Sequence, residues 1–159
     1  MKTSKFAGSG LRTVLWAAFV AGSLDIMAAF VVYAIILDQT TPVRMLLSIA
    51  SGVFGKAAFE GGNMMAVCGL LFHFLIALAF ALFYFLIYQY IAFPARHKLS
   101  SGIIYGIFIW LVMNMVVMPI AFSGMSASSW DAALLGIVIV ISAVGLPIAY
   151  IIPTGQQFP

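Results

Sequence analysis

Four long apolar stretches take up most of this chain, at about residues 11–37, 63–90, 102–122 and 132–152. A run of about 20 apolar residues crosses a bilayer core of roughly 30 Å as a helix, which satisfies its own backbone polar groups in hydrocarbon. The chain therefore reads as all-α, a polytopic membrane protein with four transmembrane helices. Arg12 stands at the edge of the first stretch, and Asp25 is the one charged residue deep inside any of them. A carboxyl group at that depth is costly, which makes Asp25 the first position to explain.

Composition excludes the other classes. Apolar residues make up 65% of the chain and charged residues 7%, against about 25% charged in soluble domains. So few polar residues cannot cover a surface in water. The length suits one helical-bundle domain, residues 1–159, with no room for a second soluble one. A net charge of +3 does not point to nucleic acid, because the basic residues lie at the ends of the apolar runs and not on one face. Cys68 is the only cysteine, so no internal disulfide and no cysteine-based metal site is expected. Lys2, Lys5 and Arg12 resemble the start of a signal peptide. The run after them is far longer than a signal core of about 7–15 residues, so it reads as a retained helix.

The same basic residues give an orientation. Both termini in the cytoplasm put Lys2, Lys5, Arg12, Arg96 and Lys98 inside and Arg44 and Lys56 outside, in keeping with the positive-inside tendency. Asp38, Glu60 and Asp131 then fall outside. Tyr88, Tyr90 and Phe93 mark the inner interface and Trp130 the outer one. Ser100 or Ser101 is placed to cap the third span, and Ser129 the fourth, with Asp131 in its first turn.

The first loop carries a helix of its own. Apolar residues recur at helical spacing over 42–59, while Arg44, Ser48, Ser51, Gly52 and Gly55 gather on another face. Thr41 is the expected N-cap, Pro42 fits the first helical position, and Gly61-Gly62 end the element. The pattern fits an amphipathic helix resting at the outer interface. A re-entrant helix whose small face lines a cavity is the alternative, since Gly52 and Gly55 favour a bend or close backbone contact.

Counting helix rise, Asp25, His73 and Asn114 all lie towards the middle of their spans, and an antiparallel bundle can bring them to one polar centre. Their chemistry fits a ligand or proton site, or a set of interhelical hydrogen bonds that lock the bundle. If Asp25 is ionised it needs a partner, either protonated His73 or Arg44. Arg44, Lys56 and Glu60 form an outer-face charged set. Lys56 and Glu60 are spaced to pair on one helix face, and Arg44 can hold a lipid phosphate or pair with Asp38.

No nucleophilic arrangement is apparent, so no catalytic residues are assigned. An enzyme acting on a lipid or quinone would need a hydrophilic cleft holding at least two of Arg44, Glu60 and His73. With His73 in a span and His97 in a loop, no transition-metal site and no cofactor are expected; haem would need a methionine or a second chain as axial ligand. The methionines, Met64, Met65, Met113, Met115 and Met118 among them, read as packing. Gly102 and Gly106 form a GxxxG motif, and Ala18 with Gly22 a small-xxx-small pair, both allowing close helix approach. Pro119 and Pro147 should kink the third and fourth spans, and Asn114 is placed to help satisfy the backbone groups freed nearby.

The stretch from Leu47 to Gly62, LSIASGVFGKAAFEGG, together with Gly22, Asp25, His73-Phe74, Gly102 to Gly106 and Asn114 to Pro119, resembles a group of small four-span bacterial inner-membrane proteins. The resemblance covers roughly residues 15–120. It implies a bacterial origin and a four-helix fold, and it brings no activity with it. The expectation is a small membrane protein that binds or carries a lipid-like or small polar ligand at Asp25, His73 and Asn114. An accessory or scaffold subunit of a membrane complex is the alternative. Membrane lipids, a second copy or a membrane partner protein are the partners such a chain would have.

Overall fold

The computed structural model describes residues 3–88, 97–121 and 130–152. Every element there is helical. Helix α1 covers Thr3–Ala29 and runs on as a π-helical segment, Phe30–Ile36. Helix α2, Pro42–Phe54, sits in the first loop and is followed by a 3-10 segment, Gly55–Glu60. Helix α3 is Gly62–Tyr88. Helix α4 is Lys98–Val112, continuing through a π segment, Met113–Val117, into Met118–Ala121. Helix α5 is Trp130–Val140, then a π segment, Ile141–Gly145, then Leu146–Ile151. Four of these are long and apolar enough to cross a membrane, at Gly10–Ile36, Gly62–Ile87, Lys98–Ile120 and Trp130–Ile151. At most 28% of any of these apolar windows is buried inside the molecule. Ile120, Met64 and Ile35 are 79%, 73% and 73% exposed. Surface of that kind is unfavourable in water by about 25 cal/mol per Å² and neutral against lipid tails. This is a multi-pass membrane protein.

The two ends of the bundle are built differently. One end gathers the start of α1, the end of α3, the start of α4 and the end of α5, and it is closely packed. Val14, Ala17, Ala21, Ala81, Tyr84, Tyr105, Ile148 and Ala149 form one buried cluster there. Small residues set the spacing, as expected where helices associate by backbone approach and not by exclusion of water. A Cβ on Gly102 would strike Leu146, one on Gly106 would strike Ile141, and one on Gly145 would strike Gly106 at 2.8 Å. The GxxxG motif is thus spent inside the molecule, on the α4–α5 contact. Gly22 serves α1 in the same way, against the Phe74 ring and Ala77 of α3. Two tyrosines fasten α3 to α4. The Tyr105 hydroxyl donates to the Phe80 carbonyl at 2.6 Å, and Tyr84 shares a hydrogen bond with Ser101 at 2.8 Å.

That last bond corrects the expected cap. The third span begins three residues earlier than Ser101, with His97 at the capping position and no side-chain bond there. Ser101 lies one turn inside, turned to Tyr84. Ser129, Tyr90 and Phe93 lie outside the described residues; Asp131 does occupy the first turn of α5.

Helix α2 keeps its expected start and loses its expected end. The Thr41 hydroxyl accepts from the Arg44 amide at 3.3 Å and Pro42 fills the first position. The α-helix stops at Phe54, not near residue 59, because Gly55 takes a φ of +61°, with no heavy atom within 4 Å of where a side chain would start. Its freedom to adopt the left-handed region is what breaks the helix. Leu47, Ala50 and Ser51 form the buried face against α3, so Ser51 is not on the small polar face, and its hydroxyl bonds the Ser48 carbonyl. Contacts deepen along α2. Leu46 and Ala50 press on Gly69, so closely that a Cβ there would overlap the Leu46 carbonyl. The Phe54 ring meets Phe72 at 5.9 Å, a turn further along. By helix rise Gly69 is about 10 Å and Phe72 about 15 Å into α3, so α2 descends beside α3 and the 3-10 segment brings the chain back.

Both expected prolines are preceded by a π-helical turn, Met113–Val117 before Pro119 and Ile141–Gly145 before Pro147. Widening the helix by one residue moves the carbonyl that the proline ring would strike.

Candidate functional site

Where the packed end has its core, the α2 end has a cavity of about 950 Å³. All four spans and α2 line it, and most of its wall is apolar. Asp25, His73 and Asn114 are all on that wall, an arrangement that the depth count from the sequence allows. Gln39 and Thr40 of the loop before α2, and Arg44 of its first turn, line the cavity as well. Arg44, Ser48 and Gly52 follow one another at four-residue intervals along α2 and all line the cavity, so the small polar face of α2 does look into a hollow.

The three central residues come together without bonding one another. His73 Nε2–H donates to the Gly22 carbonyl of α1 at 2.8 Å, a cross-link between α3 and α1. The edge of the neighbouring Phe74 ring steadies the imidazole, at a centroid distance of 5.6 Å. A neutral imidazole makes this bond and keeps Nδ1 as an acceptor. Asn114 Nδ2 donates to the Trp110 carbonyl of its own helix at 2.9 Å. That is a bond to the preceding turn, not to the groups freed by Pro119, and it leaves the amide oxygen as an acceptor. The Asp25 carboxyl has no hydrogen-bonding donor among the described residues; it interacts electrostatically with His73 and with Tyr33.

Two residues of this site escaped the sequence reading. Tyr33 lines the cavity two turns beyond Asp25, with Ala29 between them, and Trp110 lines it one turn before Asn114. A four-residue spacing from an already suspected polar residue was the available signal.

The outer-face charged set separates. Arg44 lines the cavity, and Lys56 and Glu60 do not. With residues 55–60 in a 3-10 turn, Lys56 and Glu60 no longer share an α-helical face. No ion pair joins them, or Arg44 to Asp38, among the described residues. Arg44 also forms no ion pair with Asp25, whose electrostatic partners are His73 and Tyr33. Arg44 and His73 line one cavity, whose wall is mostly apolar, and Glu60 is not on it. No group of three His, Cys, Asp or Glu side chains among the described residues is placed to hold a metal ion. What the arrangement offers chemically is an apolar chamber with one uncommitted carboxyl group and several acceptors near its floor. No protein-family model matches the chain, and no curated protein or solved structure matches it either.

Proposed function

We propose that this protein binds, or carries, a lipid-like or small polar ligand in the cavity at the α2 end, with Asp25 as the polar contact and His73 and Asn114 beside it. One observation carries the reading: a single chamber of about 950 Å³ reaches from Asp25 and His73 to the loop before α2. Its size falls in the range of ligand sites, and few polar groups on an apolar wall is their usual lining. The setting is a bacterial inner membrane with both termini in the cytoplasm, supported by the distribution of Lys and Arg. The α2 end, and with it the cavity, then faces outwards, and α2 is a re-entrant helix, in keeping with its descent beside α3.

A second reading has its own support. His73 and Asn114 each commit a side-chain donor to a backbone carbonyl, as they would in a scaffold subunit whose polar residues only fix the helices. Native mass spectrometry from mild detergent separates the two. A ligand site gives a retained small molecule that is lost on Asp25→Asn and weakened by His73→Gln. A bare protein, unchanged by either substitution, belongs to the scaffold reading and moves the search to a partner chain or a second copy.

A further inference from the structure

We infer that the cavity ligand is an organic cation with an apolar body, held by the Asp25 carboxylate against aromatic walls. This rests on the ligand-binding reading above and specifies its chemistry. Asp25 is the only acidic residue lining the chamber among those described, and none of the described residues donates a hydrogen bond to it. Its candidate counter-ion, His73, has its Nε2–H engaged by the Gly22 carbonyl and donates no hydrogen bond to the carboxyl. Among the described residues Arg44 is the one Lys or Arg on the wall, and it forms no ion pair with Asp25.

The remaining polar groups lean the same way. The amide oxygen of Asn114 is an acceptor, and one of its two amide hydrogens is already used by the Trp110 carbonyl. Tyr33, Phe72, Phe80 and Trp110 are aromatic residues on the same wall, and ring faces attract a desolvated cation. A carboxylate away from water is stable only when paired, and an ammonium or phosphonium head provides that pair. Its hydrocarbon takes up the apolar remainder of the chamber. An anionic amphiphile would bring its charge to a carboxylate and an amide oxygen.

The test uses the full-length protein in lipid nanodiscs, in a Trp16→Phe/Trp130→Phe background that leaves Trp110 as the sole indole. Tetraphenylphosphonium, tetraphenylborate and triphenylphosphine oxide serve as cationic, anionic and neutral probes of similar shape, with empty nanodiscs giving the partition background. Saturable quenching of Trp110 by the phosphonium is expected. It should weaken about tenfold or more on Asp25→Asn, as for loss of one desolvated charge partner. Asp25→Glu should retain it, and the neutral oxide should bind both variants alike. Borate binding at least as tightly, or phosphonium binding indifferent to Asp25→Asn, overturns the cation assignment while the cavity stands. Saturable binding by none of the three removes the ligand reading itself.

Discussion

At the scale of single residues, the centre of this protein is a set of polar groups that share a hollow but bond to backbone. This predicts an order of stabilities. His73→Ala removes a cross-link between two spans and should cost about 0.6–1.7 kcal/mol, the range for hydrogen bonds between membrane helices. Asn114→Ala removes a bond within one helix and should cost less. Reversible unfolding in mixed micelles gives both numbers, and an equal or reversed order would mean that the His73–Gly22 bond does not tie the spans. Much of this centre was legible in advance. Asp25, His73 and Asn114 could be set at similar depth by counting helix rise, because a long apolar run fixes where each helix meets the interface. Their partners were not legible, since every turn of a helix presents carbonyls and only the rotation of each helix decides which one a side chain meets. Tyr33 was missed for a related reason: an aromatic residue near a span end has an ordinary interfacial role that hides a cavity role.

Among the elements, α2 departs furthest from expectation. The periodicity over 42–59 and the Thr41-Pro42 start marked the helix correctly. A glycine in such a pattern is compatible with either continuation or a break, and Gly55 supplies the break. The seat of α2 against α3 could not be read from amphipathicity, because a face that lines a cavity and a face that meets headgroups have the same composition. It rests on Gly69, where only a hydrogen fits beneath the Leu46 carbonyl. Gly69→Val should therefore push α2 off α3 and destabilise the fold by about 1–3 kcal/mol, the usual cost of overpacking. The same substitution at the exposed Gly61 would meet only the flexible side chain of Met65 and should cost much less. Thermal unfolding of the two variants compares them directly; similar losses at both positions would place α2 away from α3.

Over the whole molecule, the asymmetry between the ends is what relates fold to function. Close glycine and alanine contacts clamp the four spans at the end where α1 begins and α5 finishes, and the tyrosine bonds of α3 and α4 add to that clamp. Towards α2 the spans part around a chamber that α2 and the π turn of α4 help to wall. A chain with 14 glycines and 65% apolar residues showed that helices could pack closely, but not that the four spans would be drawn together chiefly at one end. Ala29 stands on the cavity wall between Asp25 and Tyr33, half-buried and outside the packed core, so Ala29→Phe obstructs the chamber beside Asp25 without removing a polar group. Native mass spectrometry of wild type and Ala29→Phe, extracted identically, is the most direct test of whether that chamber is a binding site. A small molecule retained by the wild type and depleted in the obstructed variant, with both proteins equally folded, is the expected result. Equal retention by the two, or retention by neither, would contradict it.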